Sequence, residues 1–285
     1  MTNKADGGGA LLDSSRSYQC YKQSPYLSIK HSTYFPVYDR LFGPYVGKEI
    51  VFAEVGVLNG GSLFMWREFF GPKARIIGLD FNPLAERWRD EGFEIEIGDQ
   101  ADPAFWRGVF EKYGDVDLLL DDGGHTYEQQ IVTVESALPH VRDGGLIVVE
   151  DTHTSYMPEF GGRGARSFIG YTANVVDGIN QRFSAFARKK KSEQQIYAVQ
   201  AFESIIAFEV DRKLCALASK PTSNEGEAIG ARDYRYASMA MEDVRSQTER
   251  RSPGLFERLK RSFAKRLRPF RNRLRSFSLG RYFKY

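Results

Sequence analysis

The sequence predicts a doubly wound α/β sheet of seven strands, closed by an antiparallel pair and followed by a basic amphipathic helical tail. Three observations lead there. Short blocks of branched aliphatic residues recur between 49 and 151, separated by helix-like patterns; such alternation builds parallel sheets covered on both faces. Acidic residues stand at the ends of these blocks, where open α/β sheets gather their ligands. After one more helical pattern, two β runs follow at 196–210, joined tightly enough to be an antiparallel pair.

The chain of 285 residues, with 27 Gly and 11 Pro, suits one α/β domain plus tails. Residues 1–16 are rich in Gly and Ser and are expected to be disordered. They lack the basic start and apolar stretch of a signal peptide, and no apolar run approaches the ~18 residues of a membrane span. Within 17–45, Tyr34, Val37, Tyr38, Leu41 and Phe42 fall at helical spacing, so a helix should pack beside the core. The main domain is expected over 46–212. Its strands are read at 49–57, 75–80, 93–99, 116–122 and 145–151, and its helices at 63–71, 82–92, 103–114 and 127–141. Residues 157–167 carry three glycines and read as a mobile flap, 168–183 as a helix, and 188–195 as a charged turn. A linker is expected over 213–248.

Each strand end carries its own chemistry. After the first strand comes Glu54, Gly56, Gly60 and Ser62, in a turn where glycine permits close approach of a ligand. The spacing E-x-G-x-x-x-G departs from the dinucleotide fingerprint and argues against NAD. Asp80 ends the second strand, placed to accept from ribose hydroxyls, and Asp99 and Gln100 end the third, where they suit an adenine edge. A glycine turn alone is often only a tight turn; three consecutive strand ends of this kind indicate a nucleoside-type cofactor. Asp122, Glu150 and Asp151 follow the fourth and fifth strands and supply hard oxygen donors for a divalent cation. His125 stands three residues after Asp122, free to move a proton. The plain alternative is that these acids cap helices, but the residues after Asp151, THTSY, do not read as a helix.

Together, EVGVLNGGS at 54–62, Asp80, GDQ at 98–100, DDGGH at 121–125 and VVEDTHTSY at 148–156 resemble the class I S-adenosylmethionine-dependent methyltransferases, a Rossmann-like fold distinguished by its closing antiparallel pair. More narrowly, the chain is similar to the magnesium-dependent sugar O-methyltransferases of macrolide pathways, of the mycinamicin and tylosin type, and of rhamnosyl methylation. The resemblance covers roughly residues 30–208. It implies S-adenosylmethionine and Mg2+ as cofactors, with Mg2+ on Asp122, Glu150 and Asp151 and His125 as general base. It further implies Glu54, Gly56, Gly60 and Ser62 at the methionine portion, Asp80 at the ribose, and Asp99 with Gln100 near the adenine. A sugar or glycan acceptor and a homo-oligomer are likewise implied. Lys30 and Tyr34 match a K-x-x-x-Y stretch of such proteins, although Thr33 stands where they commonly carry His and Gly124 where they commonly carry Ser.

The formal net charge of +3 conceals a basic tail, 249–285, in which Glu257 is the only acid after Arg250. Leu255, Leu259, Phe263, Leu267, Phe270, Leu274 and Phe277 form an apolar stripe among Arg and Lys, the pattern of a helix lying on an anionic membrane surface. A core-packing helix or a nucleic-acid contact is less favoured, since cations are too many for the first and the stripe does little for the second. The two cysteines, Cys20 and Cys215, form no motif. Together these readings predict a cytoplasmic protein, peripheral on the inner membrane, whose acceptor is a lipid-linked or O-antigen-type glycan. The competing readings are an O-methyltransferase of a small phenolic metabolite, and a membrane- or nucleic-acid-associated binding protein.

Overall fold

Seven strands form one sheet in the order 3-2-1-4-5-7-6, with the seventh antiparallel to both its neighbours. The computed structural model describes residues 7–183, 195–227 and 229. In chain order the elements are α1 (Gly7–Asp13), α2 (Arg16–Gln23), α3 (Tyr34–Phe42), β1 (Val51–Val55), α4 (Gly61–Phe70), β2 (Arg75–Asp80), β3 (Glu94–Ile97), α5 (Pro103–Tyr113), β4 (Val116–Asp121), α6 (Tyr127–Ala137), β5 (Val141–Val149), α7 (Phe168–Gln181), β6 (Ile196–Phe202), β7 (Ile205–Val210) and α8 (Arg212–Ala216). The doubly wound sheet with its closing pair is therefore present. The order reverses between β1 and β4, which is where such sheets open a crevice.

Local chemistry sets the boundaries. Asp102 caps α5 by accepting from Ala104 N, and Pro103 takes the first position, where no amide hydrogen is needed. Thr126 and Gln129 form a reciprocal capping box on α6, which fixes the helix start two residues after His125. One face of the sheet packs an aromatic cluster in which Phe42, Phe52, Trp66 and Phe70 are fully buried. The other face packs Trp106, Leu119, Val134, Ile147 and Phe168. Each such buried side chain contributes roughly 1.5–3 kcal/mol, and together they hold the strand ends rigidly in place.

Four local expectations are corrected. The Gly-rich start forms α1 over Gly7–Asp13, and Ser15 caps α2 by accepting from Tyr18 N while the Arg16 guanidinium donates to the Phe69 carbonyl. Composition signalled disorder because Leu11 and Leu12 are too short an apolar run to show a period. The segment read as a second helix is a 3-10 helix, Pro83–Arg89; its buried residues Ala85 and Trp88 are three apart, and side chains at that spacing eclipse in the tighter winding. THTSY also winds into a 3-10 turn, Thr152–Tyr156, with Asp151 at its cap position. Part of the expected flap is a further short turn, Pro158–Phe160. The charged turn at 188–194 and the basic tail at 249–285 lie outside the described residues, as does most of the linker beyond 227.

Candidate active site

The glycine turn after β1 is built for close approach. Gly56 has φ +93°, and a Cβ there would lie 2.1 Å from the Asp122 carbonyl oxygen. Only glycine accepts both that conformation and that proximity, so the loops after β1 and β4 touch and frame a cavity of about 560 Å³. Gly56, Asp80, Asp99, Asp122, His125 and Asp151 line it.

The cofactor-side residues fall into two sets. Asp80 holds the turn with one carboxylate oxygen, which accepts from Val57 N at 2.7 Å and Leu58 N at 3.1 Å. It still faces the cavity, as does Asp99. Gln100 also reaches the lining, but its amide is engaged internally: Nε2 donates to Asp121 and Thr133, and Oε1 accepts from Gly124 N at 2.8 Å. The expected adenine contact is therefore not free; the amide instead positions the loop that carries His125. Glu54 and Ser62 lie beneath the floor rather than in it. The Ser62 hydroxyl and Trp66 Nε1 donate to the two Glu54 oxygens, and burial pushes the Glu54 carboxyl up to about 7 against the pull of Lys30 and those donors. Gly60, φ +80°, packs against the Trp88 ring, where a Cβ would lie 2.3 Å from the nearest ring atom.

The acidic side is held together by the N-terminal segment. Lys30, buried, donates to Asp122 at 2.7 Å and Glu150 at 3.1 Å and stands 3.8 Å from Glu54. Burial disfavours its charge, but Asp122, Glu150 and Glu54 outweigh that and keep the ammonium protonated far above the usual lysine range. Tyr38 donates to the other Glu150 oxygen at 2.5 Å. Burial pushes the Glu150 carboxyl well above its ordinary range. Tyr34 donates to Asp151 Oδ1, and its oxygen is also hydrogen-bonded to the Ser204 hydroxyl. Thus Lys30 and Tyr34, the two residues of the K-x-x-x-Y stretch, enter the site itself.

His125 and Asp151 both adopt left-handed backbone, φ +62° and +54°, a conformation a non-glycine residue holds only when its surroundings dictate it. The Thr154 hydroxyl donates to the His125 carbonyl, and His125 Nε2 lies 3.3 Å from Asp151 Oδ2. His125 Nδ1 is buried without a partner among the described residues. Asp122, His125 and Asp151 bring ligand atoms within 4.8 Å of one another. Glu150 does not join that group, because Lys30 and Tyr38 draw its oxygens the other way. The donor set still fits a divalent cation: Asp122 and Asp151 offer carboxylate oxygens beside an imidazole, and Asp122 shares the one ammonium that reaches it, Lys30, with Glu54 and Glu150.

Sheet order, closing pair and strand-end chemistry together are those of a class I methyltransferase fold. Residues 53–152 match the methyltransferase domain family, a range that runs from within β1 past the end of β5. Beyond that class, the chain is similar to sugar O-methyltransferases of macrolide pathways. It is 32% identical over 188 residues to mycinamicin VI 2''-O-methyltransferase of Micromonospora griseorubida, covering 57% of this chain and 46% of that one. It is 33% identical over 174 residues to demethylmacrocin O-methyltransferase of Streptomyces fradiae, covering 56% and 44%. The MycE methyltransferase of the mycinamycin pathway, solved with Mg, SAH and mycinamycin VI, superposes with a TM-score of 0.64 at 28% identity over 73% of this chain and 55% of that one. The chain spans less than half the length of the curated relatives it matches.

Proposed function

We propose that this chain is a magnesium-dependent O-methyltransferase that moves the methyl group of S-adenosylmethionine to a hydroxyl of a sugar. The observation that carries this is the gathering of Asp122, His125 and Asp151 on one wall of a cavity whose other wall is Gly56 and Asp80. Asp122 and Asp151 would hold the ion, with Glu150 joining them if Lys30 releases its oxygen. The ion supplies Lewis acidity that makes an otherwise tightly held hydroxyl proton removable and orients the acceptor. His125 takes that proton on Nε2 as the hydroxyl oxygen bonds the methyl carbon; the carbon–sulfur bond breaks and its electron pair stays on sulfur. Asp151 Oδ2, at 3.3 Å, then stabilises the imidazolium. Asp80 takes the ribose hydroxyls, and the missing Cβ at Gly56 leaves room beside the β4 loop for the methionine portion.

The finer reading is a cis-diol sugar such as rhamnose, because vicinal hydroxyls chelate a cation well. That the sugar belongs to a lipid-linked or O-antigen-type glycan, met at an anionic inner leaflet, rests on the sequence pattern of 249–285 alone. Flotation of the protein with anionic liposomes, with and without 249–285, separates that reading from a free glycoside acceptor. A homo-oligomer follows from the resemblance and is read by light scattering.

The function is tested by calorimetric titration with S-adenosylmethionine, with and without Mg2+, beside methyl transfer to rhamnosides. Cofactor binding by the parent and by Asp122→Ala, with turnover and magnesium dependence only in the parent, supports the reading. Absence of binding by the parent overturns it.

A further inference from the structure

Asp151 has two oxygens and they face different histidines. Oδ2 points to His125 in the cavity, whereas Oδ1 lies 3.9 Å from His31 Nε2 and 3.9 Å from His153 Nδ1. One nitrogen from each of these imidazoles and an Asp151 oxygen all fall within 4.8 Å of one another. The His31 and His153 rings approach edge to face with centroids 5.8 Å apart. Nothing in the proposed methyl transfer uses either of them.

From this we infer that His31, Asp151 and His153 form a second metal site, separate from the oxygen-rich one and specific for a transition ion of the zinc class. Two imidazoles and one carboxylate select Zn2+, Cu2+, Ni2+ or Co2+ over Mg2+, which prefers oxygen ligands in a regular octahedron. The carboxylate is already braced as metal-ligating carboxylates are: the Tyr34 hydroxyl donates to Oδ1 and is itself hydrogen-bonded to Ser204 Oγ, whose 2.5 Å contact with His153 Nδ1 an arriving ion displaces. The His31 side chain is 65% exposed, so an ion reaches the rim from solvent without entering the cavity. The three residues come from different places, the segment before α3, the end of β5 and the 3-10 turn after it. An ion there ties the Lys30 segment to the end of β5 and fixes the carboxylate that the cavity shares. The site does not depend on methyl transfer, and a chain that binds no S-adenosylmethionine would still show it.

The test is titration of tag-free, full-length protein with Cu2+, followed by electron paramagnetic resonance and, in parallel, calorimetry with Zn2+ at millimolar Mg2+. One ion per chain, a two-nitrogen coupling pattern, and Zn2+ binding undiminished by Mg2+ are expected. His31→Ala and His153→Gln should each remove one nitrogen and weaken Zn2+ by at least about tenfold, a loss seen even for residues behind the ligands, whereas His125→Gln leaves the pattern unchanged. Because His31 is exposed, its substitution leaves the thermal unfolding of the metal-free protein unaltered. A two-nitrogen pattern that survives the double substitution, one that vanishes with His125→Gln, or Zn2+ displaced by Mg2+ overturns the inference.

Discussion

The two walls of the cavity are built on opposite principles. On the glycine-turn side most polar groups answer one another within the wall: Ser62 and Trp66 hold Glu54 and the turn amides hold Asp80, while Gln100 reaches across to Asp121 and Gly124. On the β4–β5 side the charges are answered from far along the chain, by Lys30, Tyr34 and Tyr38. The first wall draws most of its side-chain hydrogen bonds from the sheet and its own turns. The second exists only when the N-terminal segment is docked, so binding of the cofactor and assembly of the chemistry are separable.

His125→Gln gives the largest effect and sharpens that separation: kcat falls by roughly 100- to 10,000-fold, the usual worth of a positioned base, while calorimetric affinity for S-adenosylmethionine stays within a factor of about two or three. Equal loss in both measurements would merge the two walls. Lys30→Met breaks the second wall, since it leaves Asp122 and Glu150 without their ammonium in a buried place. Removing one member of a buried pair costs about 3–5 kcal/mol, read as a lower denaturant midpoint, and Mg2+ should recover part of it by replacing the lost positive charge.

Asp121 supplies a pH test of the region between the walls. Burial raises its carboxyl to about 6, against donors from Gln100 and Gly123. The folded state thus holds a proton more tightly than the unfolded chain, so this contribution to stability is present at low pH and is lost as pH rises through about 6. Asp121→Asn should flatten the stability profile between about pH 4 and 6 and raise stability above it by up to about 3 kcal/mol, at roughly 1.4 kcal/mol per pH step; unfolding titrations at pH 5 and 8 measure the difference. The smallest effect is Ser62→Ala, which removes one of the donors to Glu54 and costs about 1–3 kcal/mol by urea unfolding, with no change in metal dependence.

The first wall was largely legible. Alternating aliphatic blocks gave β1 through β5, because a buried parallel strand needs a continuous apolar run, and Gly56, Asp80 and Asp99 reached the cavity from their expected strand ends. Gln100 stood where expected, yet its amide faces inward, a matter of side-chain direction that no strand pattern encodes. The second wall was legible in its acids and His125, with Lys30 and Tyr34 marked only by the K-x-x-x-Y match. That match marks Lys30 but not its partner, which the fold supplies by bringing it 92 residues along the chain to Asp122, and Tyr38, read from its helical spacing as core, presents its ring to the core and its hydroxyl to Glu150. His31 and His153 lay in quoted stretches, but their meeting at Asp151 is a tertiary event. Pairings this distant leave no period to count.

The reversed direction of β7 has a consequence for the site. Were β7 parallel to its neighbours, the chain leaving β6 would have to cross to the opposite end of the sheet before entering it, and no tight turn would stay beside β5. Running the other way, it brings the β6–β7 turn beside the end of β5, where the Ser204 carbonyl accepts from Thr152 N and its hydroxyl meets Tyr34 and His153. Five crossings deliver loops to one end of the sheet by topology, and a sixth delivers one there by a change of polarity. A two-residue hairpin, remote in sequence from the glycine turn, thereby sets Ser204 against the Tyr34 and His153 side chains at the end of β5.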